Sequence, residues 1–200
     1  MRKPINKILI AGYGRSGTSF IIQLLTRLGF DTGFEPYKEH IDKSKRAGCE
    51  RMTSIQGTDD DIIKVFENTP YILKAPAYSM IFKELSMRNI LKVDYMFIPV
   101  RDLGKAAESR IDVGLNWIIK YVDSNAPDYA KQVASNAIAL GACVEGCMVL
   151  NIPFVLMRFP DLVKNEKYCY DSLTRVFEIN KKKFHKIFQE LSNPDSIKIK

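Results

Sequence analysis

Apolar residues along this chain fall into two kinds of pattern, short unbroken runs and longer stretches spaced at helical intervals. The first run, Lys7-Ile8-Leu9-Ile10-Ala11, predicts a strand over about 7–11. Ile21, Leu24, Leu25 and Leu28 then recur on one face, which predicts a helix over about 17–29. Residues 30–57 are polar and rich in glycine, with Pro36 among them, and read mainly as loop. Thr58 followed by Asp59, Asp60 and Asp61 is a helix start, with Ile62, Ile63 and Phe66 facing inward. After Pro70 comes a strand over 71–74, then a helix over about 78–90. Tyr95 to Val100 is a continuous apolar run that predicts a buried parallel strand, with Pro99 expected to stop it. Helical patterns over about 104–123 and 128–150, a strand over 154–158 and further helices ending in a basic tail complete the chain. Strands separated by helices imply a parallel sheet with right-handed crossovers, so the expected class is α/β, three layers with helices on both faces.

The chain has 200 residues, enough for a single domain over 1–200 with a full core, and carries a formal net charge of +7. A basic excess suits an anionic partner without choosing which one. Neither an RNA-binding signature nor zinc-finger spacing is present, so nucleic acid is not an expected partner. No run approaches the roughly 20 apolar residues that span a bilayer, and no membrane span is expected. The apolar run after Met1-Arg2-Lys3 is too short for an export signal and reads as the first strand. Cys49, Cys143, Cys147 and Cys169 form no CxxC pair, and His40 and His185 stand apart. No metal site is expected; the cysteines read as buried reduced thiols in a cytoplasmic protein.

Chemistry concentrates between the first strand and helix, in Gly12-Tyr13-Gly14-Arg15-Ser16-Gly17-Thr18-Ser19. Strand, glycine loop and helix together turn backbone N–H groups toward one point, where the helix dipole favours an anion. The spacing from Gly12 to Gly17 fits a phosphate loop, giving the expected fold a P-loop NTPase-like character. The usual lysine is missing, however; Thr18 follows Gly17, and a cation stands earlier at Arg15. In parallel sheets, ligands sit at the carboxyl ends of strands. That rule places Arg15, Lys74 and Arg101 at equivalent edges of one sheet, around one anion-rich ligand.

Arg15-Ser16-Gly17-Thr18-Ser19 resembles the (K/R)-S-G-T-(S/T) loop of the sulfotransferase family, which binds 3′-phosphoadenosine 5′-phosphosulfate (PAPS). Arg101 at a strand end with Ser109 eight residues later resembles that family's pair for the 3′-phosphate. Met157-Arg158-Phe159-Pro160-Asp161-Leu162 is a third, largely structural similarity. The resemblance implies a sulfotransferase that moves a sulfuryl group from PAPS to an acceptor hydroxyl or amine by in-line transfer, leaving 3′-phosphoadenosine 5′-phosphate (PAP), with no metal expected. It implies that Gly14, Arg15, Ser16, Gly17, Thr18, Ser19, Arg101 and Ser109 hold the cofactor. Arg15 and Lys74 would neutralise charge during transfer.

Ala75 and Pro76 follow Lys74, so the histidine base of the cytosolic members is missing, as is their late R-K-G motif. The similarity lies closer to the tyrosylprotein and glycan type, which implies a glutamate base; Glu35, twenty residues after Arg15, is the first choice and His40 the second. The acceptor, whether small molecule, glycan or peptide, would be lined from residues 30–57 and 111–130, with Phe34, Tyr37, Trp117 and Tyr121 as aromatic candidates. A homo-oligomer that completes the pocket is compatible with this length. Lys181-Lys182-Lys183 reads as a solvated helix face. Two other readings stay open at this point: a metal-dependent small-molecule kinase with Asp102 as its acid, and a non-catalytic protein that keeps the PAPS-binding fold.

Overall fold

The computed structural model describes residues 3–35, 50, 55–114 and 122–192. In chain order its elements are β1 (Ile5–Ile10), α1 (Thr18–Leu28), α2 (Asp59–Glu67), β2 (Ile72–Lys74), α3 (Tyr78–Met87), β3 (Leu91–Val100), α4 (Leu103–Ile111), α5 (Asp128–Val149), β4 (Phe154–Arg158), α6 (Asp161–Lys164), α7 (Glu166–Leu173) and α8 (Lys181–Ser192). The four strands form one sheet in the order β2-β1-β3-β4, and every pairing is parallel.

Strand side chains alternate between faces, and each face has its own core. Ile8 and Ile10 of β1, Ile72, Phe97, Val155 and Met157 pack with α1, α7 and α8. Leu9, Leu73, Met96 and Ile98 pack on the other face with α2, α3 and α5. This is the expected α/β arrangement, a parallel sheet between two layers of helices. Winding runs from β1 outward to β2, then reverses past β1 to β3 and β4. With right-handed crossovers, that reversal puts α1 on one face and α3 and α5 on the other. It also creates a switch point between β1 and β3, where a crevice opens at the strands' carboxyl ends.

Local signals explain most boundaries. Thr58 caps α2 through a capping box in which its hydroxyl accepts from the Asp61 N–H and the Asp61 carboxylate accepts from the Thr58 N–H. Asp102 caps α4 by accepting from the Lys105 N–H at 2.8 Å. Cys143, Cys147 and Cys169 are free and buried, as expected; Cys143 and Cys147 both place sulfur against Met96. The hydrogen bond with Cys147 and then burial push the Cys143 thiol well above its ordinary pKa. Lys181, Lys182 and Lys183 are exposed. His185 faces solvent with Nδ1 2.9 Å from Glu166.

Four details depart from the sequence reading. Strand β3 starts at Leu91 rather than Tyr95, because Leu91 and Val93 point inward while exposed Lys92 and part-buried Asp94 break the apolar run. Pro99 does not end β3; it pairs with Met157 inside the strand. The Phe97 carbonyl accepts from Ala11, so odd residues of β3 face β1. The Pro99 nitrogen therefore lies on that side, past the last paired β1 residue Ile10, where no donor is required. The helix expected over 104–123 ends at Ile111, followed by a turn that reaches Gly114 at φ 69°. Finally, α5 is long and apolar enough to cross a bilayer by length and composition, against the expectation that no segment would be. Its apolarity comes from scattered Ala, Cys, Val and Leu rather than one unbroken run, and Ala139, Cys143 and Cys147 are buried in the fold.

Candidate functional site

The loop from Gly12 to Gly17 turns the chain from β1 into α1 at the switch point. Gly17 caps α1 at φ 109° and has no side chain to occupy the cap. The first N–H groups of the helix are thus left facing the crevice, where an anion can accept from them. A Cβ on Gly17 would lie 3.1 Å from Phe159 and 3.2 Å from Leu162. The segment after β4 is therefore the wall against which the loop is moulded, and only glycine fits there.

Arg15 is held in the left-handed region at φ 69°. Its Nε donates to Ser109 Oγ at 3.0 Å. Arg101 Nη1 reaches the Arg15 carbonyl at 3.5 Å, and its guanidinium lies 4.9 Å above the Phe159 ring centre, a cation–π contact. Ser16 is buried and donates to the Tyr13 carbonyl at 2.7 Å. The Tyr13 hydroxyl accepts from the Arg101 N–H at 2.6 Å and donates to the Arg101 carbonyl. Burial raises the pKa of this phenol, which stays a neutral donor. Tyr13 thus ties the loop to the end of β3.

Lys74 closes the other side. It ends β2 with only 1% of its surface exposed, and its ammonium donates to Ser19 Oγ at 3.3 Å and to Glu50 Oε1 at 2.9 Å. A buried ammonium without a counter-charge costs several kcal/mol, so this pairing is what lets Lys74 sit there. Since β2 and β3 flank β1, Lys74 and Arg101 bracket the loop from opposite sides.

The fold brings these residues to one place: Gly14, Arg15, Ser16, Gly17, Thr18 and Ser19 lie in the loop and first turn, Ser109 and Arg101 contact Arg15, and Lys74 contacts Ser19. Thr18, in the place of the usual lysine, is buried. Glu35 is exposed, beyond Gly33 on the chain leaving α1. His40, Cys49, Tyr37, Trp117 and Tyr121 lie outside the described residues, and Phe34 packs part-buried against the α1 core. Asp102, weighed as a metal-holding acid, is an exposed helix cap.

Three site residues escaped the sequence reading. Tyr13 stands between two loop glycines, where nothing in the local pattern marks it. Glu50 lay within a stretch read as loop. Arg110 is an arginine inside a helix, a residue type that ordinarily marks the solvated face, yet only 5% of it is exposed. Its Nε donates to Gln132 Oε1, and one terminal nitrogen lies 2.8 Å from where a Gly14 Cβ would stand. Burial lowers its pKa, and the nearby Glu50 charge opposes that shift. A glycine at position 14 is what gives Arg110 room against the loop.

Neither a family model nor a curated protein matches the sequence. Among solved structures, the chain is similar to the sulfotransferase domain from the Synechococcus PCC 7002 olefin synthase, at 12% identity and a TM-score of 0.47, covering 88% of this chain and 73% of that one. It is similar as well to the sulfotransferase domain from the curacin biosynthetic pathway, at 14% identity and a TM-score of 0.48, covering 88% of this chain and 76% of that one.

Proposed function

We propose that this chain is a sulfotransferase that binds PAPS and passes its sulfuryl group to an acceptor hydroxyl or amine. The observation that carries the reading is the hydrogen bond between Arg15 and Ser109, residues 94 positions apart. It brings the loop suited to a phosphosulfate and the Arg101–Ser109 pair suited to a second phosphate into one site. A ligand with anionic groups at two separated positions fits such a site; ATP, whose phosphates form one chain, uses only half of it.

The described residues fit the nucleotide. The uncapped first turn of α1 and Arg15 would hold the 5′-phosphosulfate. Arg101, with its planar fork, and Ser109 would hold the 3′-phosphate. PAPS supplies an activated sulfuryl group whose bond to phosphate breaks as the acceptor atom bonds to sulfur, releasing PAP. Half-buried Arg15 and buried Lys74 would balance the charge that gathers on the oxygens during transfer, and the burial of Lys74 strengthens its effect. Glu35 would take the acceptor's proton, as in the tyrosylprotein and glycan type of enzyme. The acceptor class, small molecule, glycan or peptide, follows from neither loop nor clamp.

Calorimetric titration tests this directly. PAP is expected to bind at least about 100-fold more tightly than ATP, since a charge-assisted contact to phosphate contributes about 1.5–3 kcal/mol and two are lost without the 3′-phosphate. Equal affinities would reject the reading. Tighter binding of ATP with Mg²⁺ would point to a kinase instead, and PAP binding without transfer to any acceptor would point to a binding protein.

A further inference from the structure

We propose that the outward face of α5 docks a second copy of this chain, the two helices lying antiparallel across a two-fold axis. The inference goes beyond the sulfotransferase reading and stands apart from its nucleotide site, so either can fail alone.

Among the described residues, α5 alone is long and apolar enough to cross a bilayer, yet only 39% of its apolar stretch is buried in the fold. Its buried stripe runs from Gln132 through Ala139 and Cys143 to Cys147. The opposite side carries Ala130, Ala134, Ala137, Val144 and Met148, which recur at helical spacing and are exposed or part-buried. Met148 leaves 68% of its surface in solvent, and adjoining Val149 leaves 61%. From Gln132 to Val149 the only charge is Glu145. A surface helix ordinarily carries its polar residues on the outward side. A continuous apolar face there marks a contact surface.

Two features make a second copy the occupant. One is shape. Ala130, Ala134 and Ala137 leave the first half of the outward side shallow, whereas Val144 and Met148 raise the second half. A two-fold axis level with the turn at Ile138 and Ala139 brings unlike halves together. Ala130 then comes level with the partner's Met148 and Ala134 with the partner's Val144, so bumps meet hollows twice over. The other feature is charge. Lys131 and Glu145 lie on one flank of the helix, about four turns apart with Ile138 midway. Antiparallel pairing sets each Lys131 beside the partner's Glu145; parallel pairing would set like charge beside like. Within the chain, Lys131 reaches Asp128 at 3.5 Å and Glu145 reaches Lys83 at 2.5 Å. The Asp128 and Glu145 side chains are 85% and 54% exposed. Such exposed pairs are weak and leave both groups able to pair between copies.

Sedimentation velocity on the full chain, over a dilution series from micromolar to near-millimolar, tests this, with far-UV circular dichroism to confirm that each variant is folded. The chain should sediment as a species of twice its 22.8 kDa mass. Ala137→Arg changes an exposed position to a residue that suits a helix. It enters the interface twice and should weaken the dimer by at least about 100-fold. Lys131→Glu alone should weaken it about threefold or more, and adding Glu145→Lys should restore it. Neither intrachain pair survives that exchange, so recovery can come only from the pair between copies. A monomer throughout overturns the proposal. A dimer indifferent to Ala137→Arg overturns this face, and a double exchange without recovery overturns the antiparallel arrangement. Neutral phosphatidylcholine vesicles supply the last arm. A monomeric chain that floats with them, and no longer does so with Ala137→Arg, assigns the face to a bilayer and overturns the second copy.

Discussion

Replacing Gly17 by alanine isolates the geometric demand of the loop. At φ 109° the backbone is in a region that a Cβ disfavours, at a cost of about 1–2 kcal/mol. The added methyl would also stand 3.1 Å from Phe159 Cδ2 and 3.2 Å from Leu162 Cδ2. Both neighbours are packed, so a few tenths of an ångström must be found by moving the ring or the loop, an overpacking cost of about 1–3 kcal/mol. Together these predict a loss of about 2–5 kcal/mol, a large part of the roughly 5–15 kcal/mol that holds a domain together. For a chain of this size the melting temperature should fall by about 5–20 °C. Gly141 provides the control. It lies exposed in α5, at ordinary helical φ, with no atom within 4 Å of a new Cβ, so Gly141→Ala should stabilise by about 0.5–1 kcal/mol. Circular dichroism melts of the two variants and the parent decide the matter. A Gly17→Ala protein melting within about 2 °C of the parent would refute the claim that the wall after β4 moulds the loop.

Other outcomes follow from the same site. Arg101→Ala should weaken PAP binding by about 10- to 100-fold while leaving adenosine 5′-phosphosulfate, which has no 3′-phosphate, unaffected in a titration; equal losses for both would remove Arg101 from the distal phosphate. Glu35→Gln should lower turnover by about 100-fold or more with an unchanged PAP dissociation constant, and full activity in a steady-state assay would dismiss Glu35 as the base. Hydrogen bonds from the Thr58 side chain and backbone hold the Asp61 carboxyl below its ordinary value of 3.8. Its contribution to stability is therefore present above that value and lost as the pH falls through the lower native one. Melts of Asp61→Asn should lie below those of the parent at neutral pH and converge with them in acid; a constant gap across the range would contradict the capping box.

Much of this site was legible because its signals are local. The change from an apolar run to helical spacing across Gly12 to Gly17 located the loop, and the strand-end rule placed Lys74 and Arg101 beside it. Residues whose role depends on tertiary burial were not legible. Arg110 has the spacing and charge of a surface residue; only the folded chain shows that α4 turns it inward against Gly14. Glu50 has no periodic neighbours, and its pairing with Lys74 across the site exists only in three dimensions. Strand β3 was shortened in the sequence reading because Lys92 and Asp94 face outward where one face of the sheet is wet. The stop signal of Pro99 applies to a strand paired on both sides, whereas β1 has already turned away when the chain reaches it.

The phenol of Tyr13 has a consequence for selectivity. Because the same oxygen grips Arg101 through both its amide hydrogen and its carbonyl, the glycine turn and the backbone that carries the Arg101 side chain are riveted at a fixed separation. Such a joint behaves as a ruler: a molecule whose two charged ends match the span finds both grips already set and forfeits little freedom on docking, while one that is shorter or longer can satisfy only one end.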